Sequence, residues 1–180
     1  MMERGQKRQE MAEEQISIGT VGTDLIIIPE GYITAFLCPE LQAKIMERLR
    51  PDSAVASIHF DFSACLYMDS TFLGLIVLLA KAVQSRDIGR PVVHSVNEEC
   101  RSLFRTMGMM KMLEFSEEAC PQPSDREKIL SKDRLSTEFL YDAHMELSGI
   151  SVENEGRFRT LTEELKAVLD SPDELNDLNS

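Results

Sequence analysis

The residues best placed to do chemistry are Asp69, Ser70 and Thr71, in the run Tyr67-Met68-Asp69-Ser70-Thr71-Phe72-Leu73-Gly74. They stand just before an apolar stretch with helical spacing. Either Asp69 or Ser70 can therefore cap a helix, offering an oxygen to its unpaired N–H groups. A helix start also carries partial positive charge, which tolerates a phosphate on a hydroxyl there. Such a phosphate adds about −1.5 to −2 charges, enough to change what docks beside it while the fold survives. Asp-Ser-Thr before an apolar run is equally a plain capping sequence, and the triplet alone does not separate the two readings.

Other reactive side chains form no constellation. His59, His94 and His144 are scattered, and none stands at a recognisable spacing from a nucleophile. Cys38, Cys65, Cys100 and Cys120 make no CxxC pair, have no His at zinc-finger spacing, and read as reduced, buried thiols. Met107, Met109, Met110 and Met112 suit core packing better than an adaptable partner surface. There is no glycine-rich phosphate loop, and the carboxylates near the C-terminus lack metal-loop spacing. The expectation is a protein that is not an enzyme and needs no metal or other cofactor.

These residues need elements to place them. Residues 16–21 and 25–28 read as two strands around the turn Gly22-Thr23-Asp24, the second stopping at Pro29. Pro39 suits a first helical turn, and Leu41, Ile45, Met46 and Leu49 follow at helical spacing up to Pro51. Residues 55–62 hold a third strand, and 63–68 a loop leading to Asp69. Leu73, Ile76, Val77, Ala80 and Val83 form one helical face, but Leu75, Leu78 and Leu79 lie off it, which predicts a helix covered on more than one side. A strand over 91–94 follows. Asn97 then caps a helix that Gly108 ends, and 112–115 is a last short strand. The order β-β-α-β-α-β-α-β is that of an α/β layered sandwich.

Charge divides the chain. Residues 1–115 carry 15 acidic and 12 basic side chains, and 116–180 carry 16 and 7, so most of the net charge of −12 lies in the second segment. That balance argues against nucleic acid or an anionic membrane as a direct partner. No apolar run approaches the ~18 residues of a membrane span, and the polar start does not resemble a secretory signal. A cytoplasmic location is expected. The domain reading is a flexible leader over 1–15, one domain over 16–118, and a linker with a helical C-terminal extension and acidic tail over 119–180. Pro121, Pro123 and Ser124 mark the linker. Two helices follow, around Phe139-Leu140 and from Phe158 to Leu169, separated by Gly149 and Ser151. Their apolar stripes need a surface to bury against, and a homodimer or another partner is the preferred one.

The run Met68-Asp69-Ser70-Thr71-Phe72-Leu73-Gly74 resembles the phosphorylation motif of STAS-domain anti-sigma factor antagonists, Met-Asp-Ser-(Ser/Thr)-Gly-Leu-Gly. A second likeness lies downstream, in Ser95, Arg101, Leu103-Phe104 and Met107-Gly108-Met109. The two come in the family's order and separation, and the resemblance covers roughly 16–115. It implies a STAS-type mixed β-sheet with helices, to which this chain adds its helical extension. It also implies phosphorylation at Ser70, with Thr71 as the alternative acceptor, and a partner surface including Asp69, Ser70, Thr71, Phe72 and Thr34. The implied partners are an anti-sigma factor that is also a serine kinase, bound by the unmodified form, and a serine phosphatase. Two positions depart from the pattern. Phe72 stands where the family usually has Gly, and Thr34 where members often carry Asp. The competing expectation is a non-phosphorylated STAS scaffold in a signalling complex.

Overall fold

The computed structural model describes residues 13–131 and 134–171. Most of the expected leader and the acidic tail lie outside them. The element order is β1 (Gln15–Val21), β2 (Asp24–Ile33), α1 (Cys38–Arg48), β3 (Ser57–Asp61), β4 (Cys65–Met68), α2 (Ser70–Gln84), β5 (Val92–His94), α3 (Glu98–Thr106), β6 (Glu114–Ser116), β7 (Glu127–Lys128), α4 (Thr137–Ser148) and α5 (Val152–Asp170). The sheet runs β6-β5-β3-β2-β1-β7, with β4 also paired to β2. β1 is antiparallel to β2 and β7, and the remaining pairs are parallel. The fold is therefore a mixed sheet layered with helices, as the sequence implies.

Strand alternation sorts the two faces. Ile16, Ile18, Leu25, Ile27, Ile58, Phe60 and Val93 join the main core with the helices. Ile26 and Ile28 pack on the opposite face against Cys120, so the linker covers that side. β2 runs through Pro29 rather than stopping there. Pro29 falls where β2 changes parallel partners, from β3 (up to Ile27) to β4 (from Gly31), a break that a missing donor tolerates. The segment expected as a loop before Asp69 contains β4, whose pairing fixes the chain leading into α2.

α2 is buried almost all round, including Leu73, Leu75, Ile76, Val77, Leu79 and Val83. One side meets the sheet and α1, and the other is covered by α4. The apolar stripes of α4 and α5 are only partly buried within the chain: Ala143, Leu147 and Phe158 pack inward, while Leu161, Val168 and Leu169 stay exposed. Leu147 and Phe158 join the main core. Ser136 and Ser151 cap the two helices, accepting from the N–H groups of Phe139 and Asn154.

Candidate functional site at the start of α2

Asp69 is the N-cap of α2. Its Oδ1 accepts from the N–H of Phe72 at 3.0 Å, and its Oδ2 from the N–H of Ala35 at 2.9 Å. One carboxylate therefore ties the helix start to the turn after β2. Burial pushes its pKa above the usual carboxylate range, against the backbone N–H groups that pull it down.

Ser70 is the first helical residue and half-buried. Its Oγ lies 2.9 Å from His144 Nε2, on α4. His144 Nδ1 faces the Leu140 carbonyl at 2.7 Å, and a carbonyl only accepts, so Nδ1 carries the hydrogen. With a neutral ring, Nε2 then accepts from the Ser70 hydroxyl. The sequence reading set His144 aside because 74 positions separate it from Ser70; the fold of the C-terminal helices joins them. A serine donating to an oriented histidine is the geometry of an activated nucleophile. Here the pair is pressed between two helices, and the clefts beside Arg48 and Asp52 and beside Gln84 and Lys111 do not reach it.

Further along the same face, Gly74 receives the backbone of Ala143. A Cβ there would stand 2.7 Å from the Ala143 carbonyl carbon and closer still to its oxygen. Lys81 pairs with Glu146. Ser70, Gly74 and Lys81 are spaced by four and seven residues, which aligns them on one stripe of α2. Asn154, fully buried on α5, donates from Nδ2 to the carbonyls of Met107 at 3.0 Å and Leu147 at 2.9 Å. The hairpin of α4 and α5 is thus fastened both at the start of α2 and at the end of α3.

The remaining expected residues fall differently. Thr71 is 4% exposed and Phe72 is fully buried. Both side chains are buried at the first turn of α2 rather than exposed beside Ser70. Phe72 fills the core where the family pattern has Gly. Thr34 is half-buried and held by Glu14, whose carboxylate accepts from the Thr34 N–H at 2.6 Å and hydroxyl at 2.9 Å. A carboxylate therefore stands beside the position where the resemblance leads one to expect Asp, supplied from just before β1. Sequence spacing alone could not have found it.

The exposed apolar side chains at this end are Tyr32, Phe36, Leu66 and Tyr67. The rings of Tyr32 and Tyr67 lie 6.4 Å apart across the β2–β4 pair, on segments that lead to Thr34 and Asp69. They too were missed, because β4 was read as a loop. The other two histidines lie elsewhere. His59 and His94 bond to each other at 2.9 Å on the linker side of the sheet, with His94 Nδ1 donating to the Glu118 carbonyl. The thiols are buried, and burial pushes Cys120 up to about 12. Among the described residues no group of three or more His, Cys, Asp or Glu could hold a metal ion, and no helix is long and apolar enough to cross a membrane.

No protein-family model and no curated protein sequence matches the chain. Solved structures do. The anti-sigma factor antagonist SpoIIAA in its unphosphorylated form matches with a TM-score of 0.51 at 19% identity, over 57% of this chain and 89% of that one. The Bacillus cell fate determinant SpoIIAA in its phosphorylated form matches at 0.48 and 19%, over 57% and 92%. With a mixed sheet, the helix order described and the superposition on unphosphorylated SpoIIAA, the chain carries the STAS fold of that anti-sigma factor antagonist.

Proposed function

We propose that this protein is an anti-sigma factor antagonist acting by partner switching. It binds an anti-sigma factor that is also a serine kinase while Ser70 is free, and releases it once Ser70 is phosphorylated. A serine phosphatase restores the binding form. The observation that carries this reading is the place of Ser70: the first residue of α2, behind the Asp69 cap, on a fold shared with an anti-sigma factor antagonist. The helix terminus accommodates the phosphate, and the added charge beside Asp69 acts on whatever docks there. Tyr32, Phe36 and Tyr67 supply exposed aromatic surface next to the switch, of the kind that anchors interfaces.

A second reading has its own observation. His144 already occupies the Ser70 hydroxyl, and α4 covers the face beside it. That arrangement suits a STAS scaffold never phosphorylated at Ser70. Phosphopeptide analysis of the protein from its native cells, with Ser70→Ala in parallel, separates the two. Phosphate at Ser70, absent in the variant, supports the switch. A serine unmodified in growth and stress alike sinks it in favour of the scaffold.

A further inference from the structure

We propose that the hairpin of α4 and α5 is an in-chain lid on Ser70, so that the serine takes a phosphate or meets an outside partner only while the hairpin is lifted from α2. This rests on the switch reading for what Ser70 does, but the lid itself stands on separate geometry. A phosphoryl group on Ser70 Oγ needs the space that His144 Nε2 fills at 2.9 Å. The backbone of α4 is seated so closely on Gly74 that nothing larger than hydrogen fits between. A closed hairpin and a modified serine therefore exclude each other.

The hairpin is also built to open. The buried residues of α4 are Ala143, His144 and Leu147, and those of α5 are Asn154, Phe158 and Thr162. Three of those six are polar, against one, Thr71, among the ten buried residues of α2. Elements held by few apolar contacts open at lower free energy than the core. Leu147 and Phe158 anchor the hairpin in the core, and Asn154, His144 and Lys81 fix its position through polar contacts. Opening exposes Ser70 and Gly74 and frees Lys81 from Glu146, which makes the hairpin a competitor for any partner that docks on that stripe.

The test uses the full chain and no kinase. Ser70→Cys puts a thiol under the lid, and the four native thiols are buried. Alkylation by iodoacetamide, followed from pH 6 to 10 so that rates compare per thiolate, reads the open fraction. The introduced thiol should react about tenfold or more slowly than a peptide standard, in proportion to the open fraction. Adding Gly74→Ala, which drives a Cβ into Ala143 yet favours the α2 helix, should restore most of that rate. Adding Asn154→Ala, which cuts the ties to Met107 and Leu147, should do the same. Hydrogen exchange should show 137–170 losing protection in both while β3 keeps it. The lid is wrong if the thiol reacts at the standard's rate beneath an intact hairpin, or if Asn154→Ala frees 137–170 without changing the rate. A Ser70 never phosphorylated in cells would remove the switch and leave the lid standing.

Discussion

Asp69 does two jobs with one carboxylate, capping α2 and holding the turn at Ala35. Asp69→Ala should lower stability by about 1–2 kcal/mol, the usual cost of a lost cap, and Asp69→Asn, which keeps an acceptor for Phe72, by less. Urea midpoints in the order wild type, Asn, Ala would bear this out; an unchanged Ala variant would show that the cap holds nothing. His59 gives a pH signature. Burial pushes its imidazole below the ordinary value and nearby His94 adds to this, while Asp24 pulls the other way. A basic group lowered on folding binds fewer protons folded than unfolded. Its contribution is complete above the unfolded pKa of about 6.5 and is lost as pH falls toward the folded one. Tm should therefore drop from pH 7 to pH 5, and His59→Gln should flatten that limb. Asp61 acts lower on the scale. Against burial that raises it, hydrogen bonds from Ser63 and Gln122 hold its carboxyl below the carboxylate range, so its stabilisation is lost only as pH falls through that lowered value. A Tm unchanged between pH 7 and 5 would count against the His59 assignment.

Among the elements, α2 shows what sequence can carry. Leu75, Leu78 and Leu79 fall off the main apolar face, and the helix is indeed covered on two sides. The hairpin of β1 and β2, the Pro39 start of α1, the Asn97 cap and the Gly108 stop were legible for the same reason: each is written in a few neighbouring residues. β4 and β7 were not, because strands of four and two residues carry no periodicity and exist through pairing with β2 and β1. The contact of His144 with Ser70 was illegible in the same way, since it depends on where α4 lands rather than on any local pattern. The two C-terminal helices were readable from their stripes, but the face of α2 that receives α4 was not. Leu147, fully buried in α4, tests that surface. Leu147→Ala should cost about 2–5 kcal/mol by the usual measure of a core truncation. If the hairpin is the weaker unit, the extra hydrogen exchange should appear over 137–170 before it appears in β3 and β5. Equal loss in both would mean that hairpin and sheet open as one.

For the whole molecule the deciding quantity is charge. Residues 137–170 carry 8 acidic against 3 basic side chains, and the first 115 residues 15 against 12, so a strongly acidic hairpin rests on a domain of mildly acidic sequence. Net repulsion opposes closure. Locally, one ion pair, Lys81 with Glu146, favours it. Both side chains are partly exposed, and such pairs contribute only about 0–1 kcal/mol. Salt acts on the two terms with opposite effect. Raising ionic strength from about 0.01 to 0.15 M shortens the Debye length from about 30 to about 8 Å, which removes long-range repulsion between segments but weakens a contact pair much less. The repulsion should therefore lose more, and the hairpin should close more firmly as salt rises. Hydrogen exchange over 137–170 should slow between those two conditions, with β3 as the internal reference. Faster exchange at the higher salt would mean that Lys81 and Glu146 dominate. In that case Glu146→Gln, rather than ionic strength, should abolish the salt dependence and identify the pair as what holds the hairpin down.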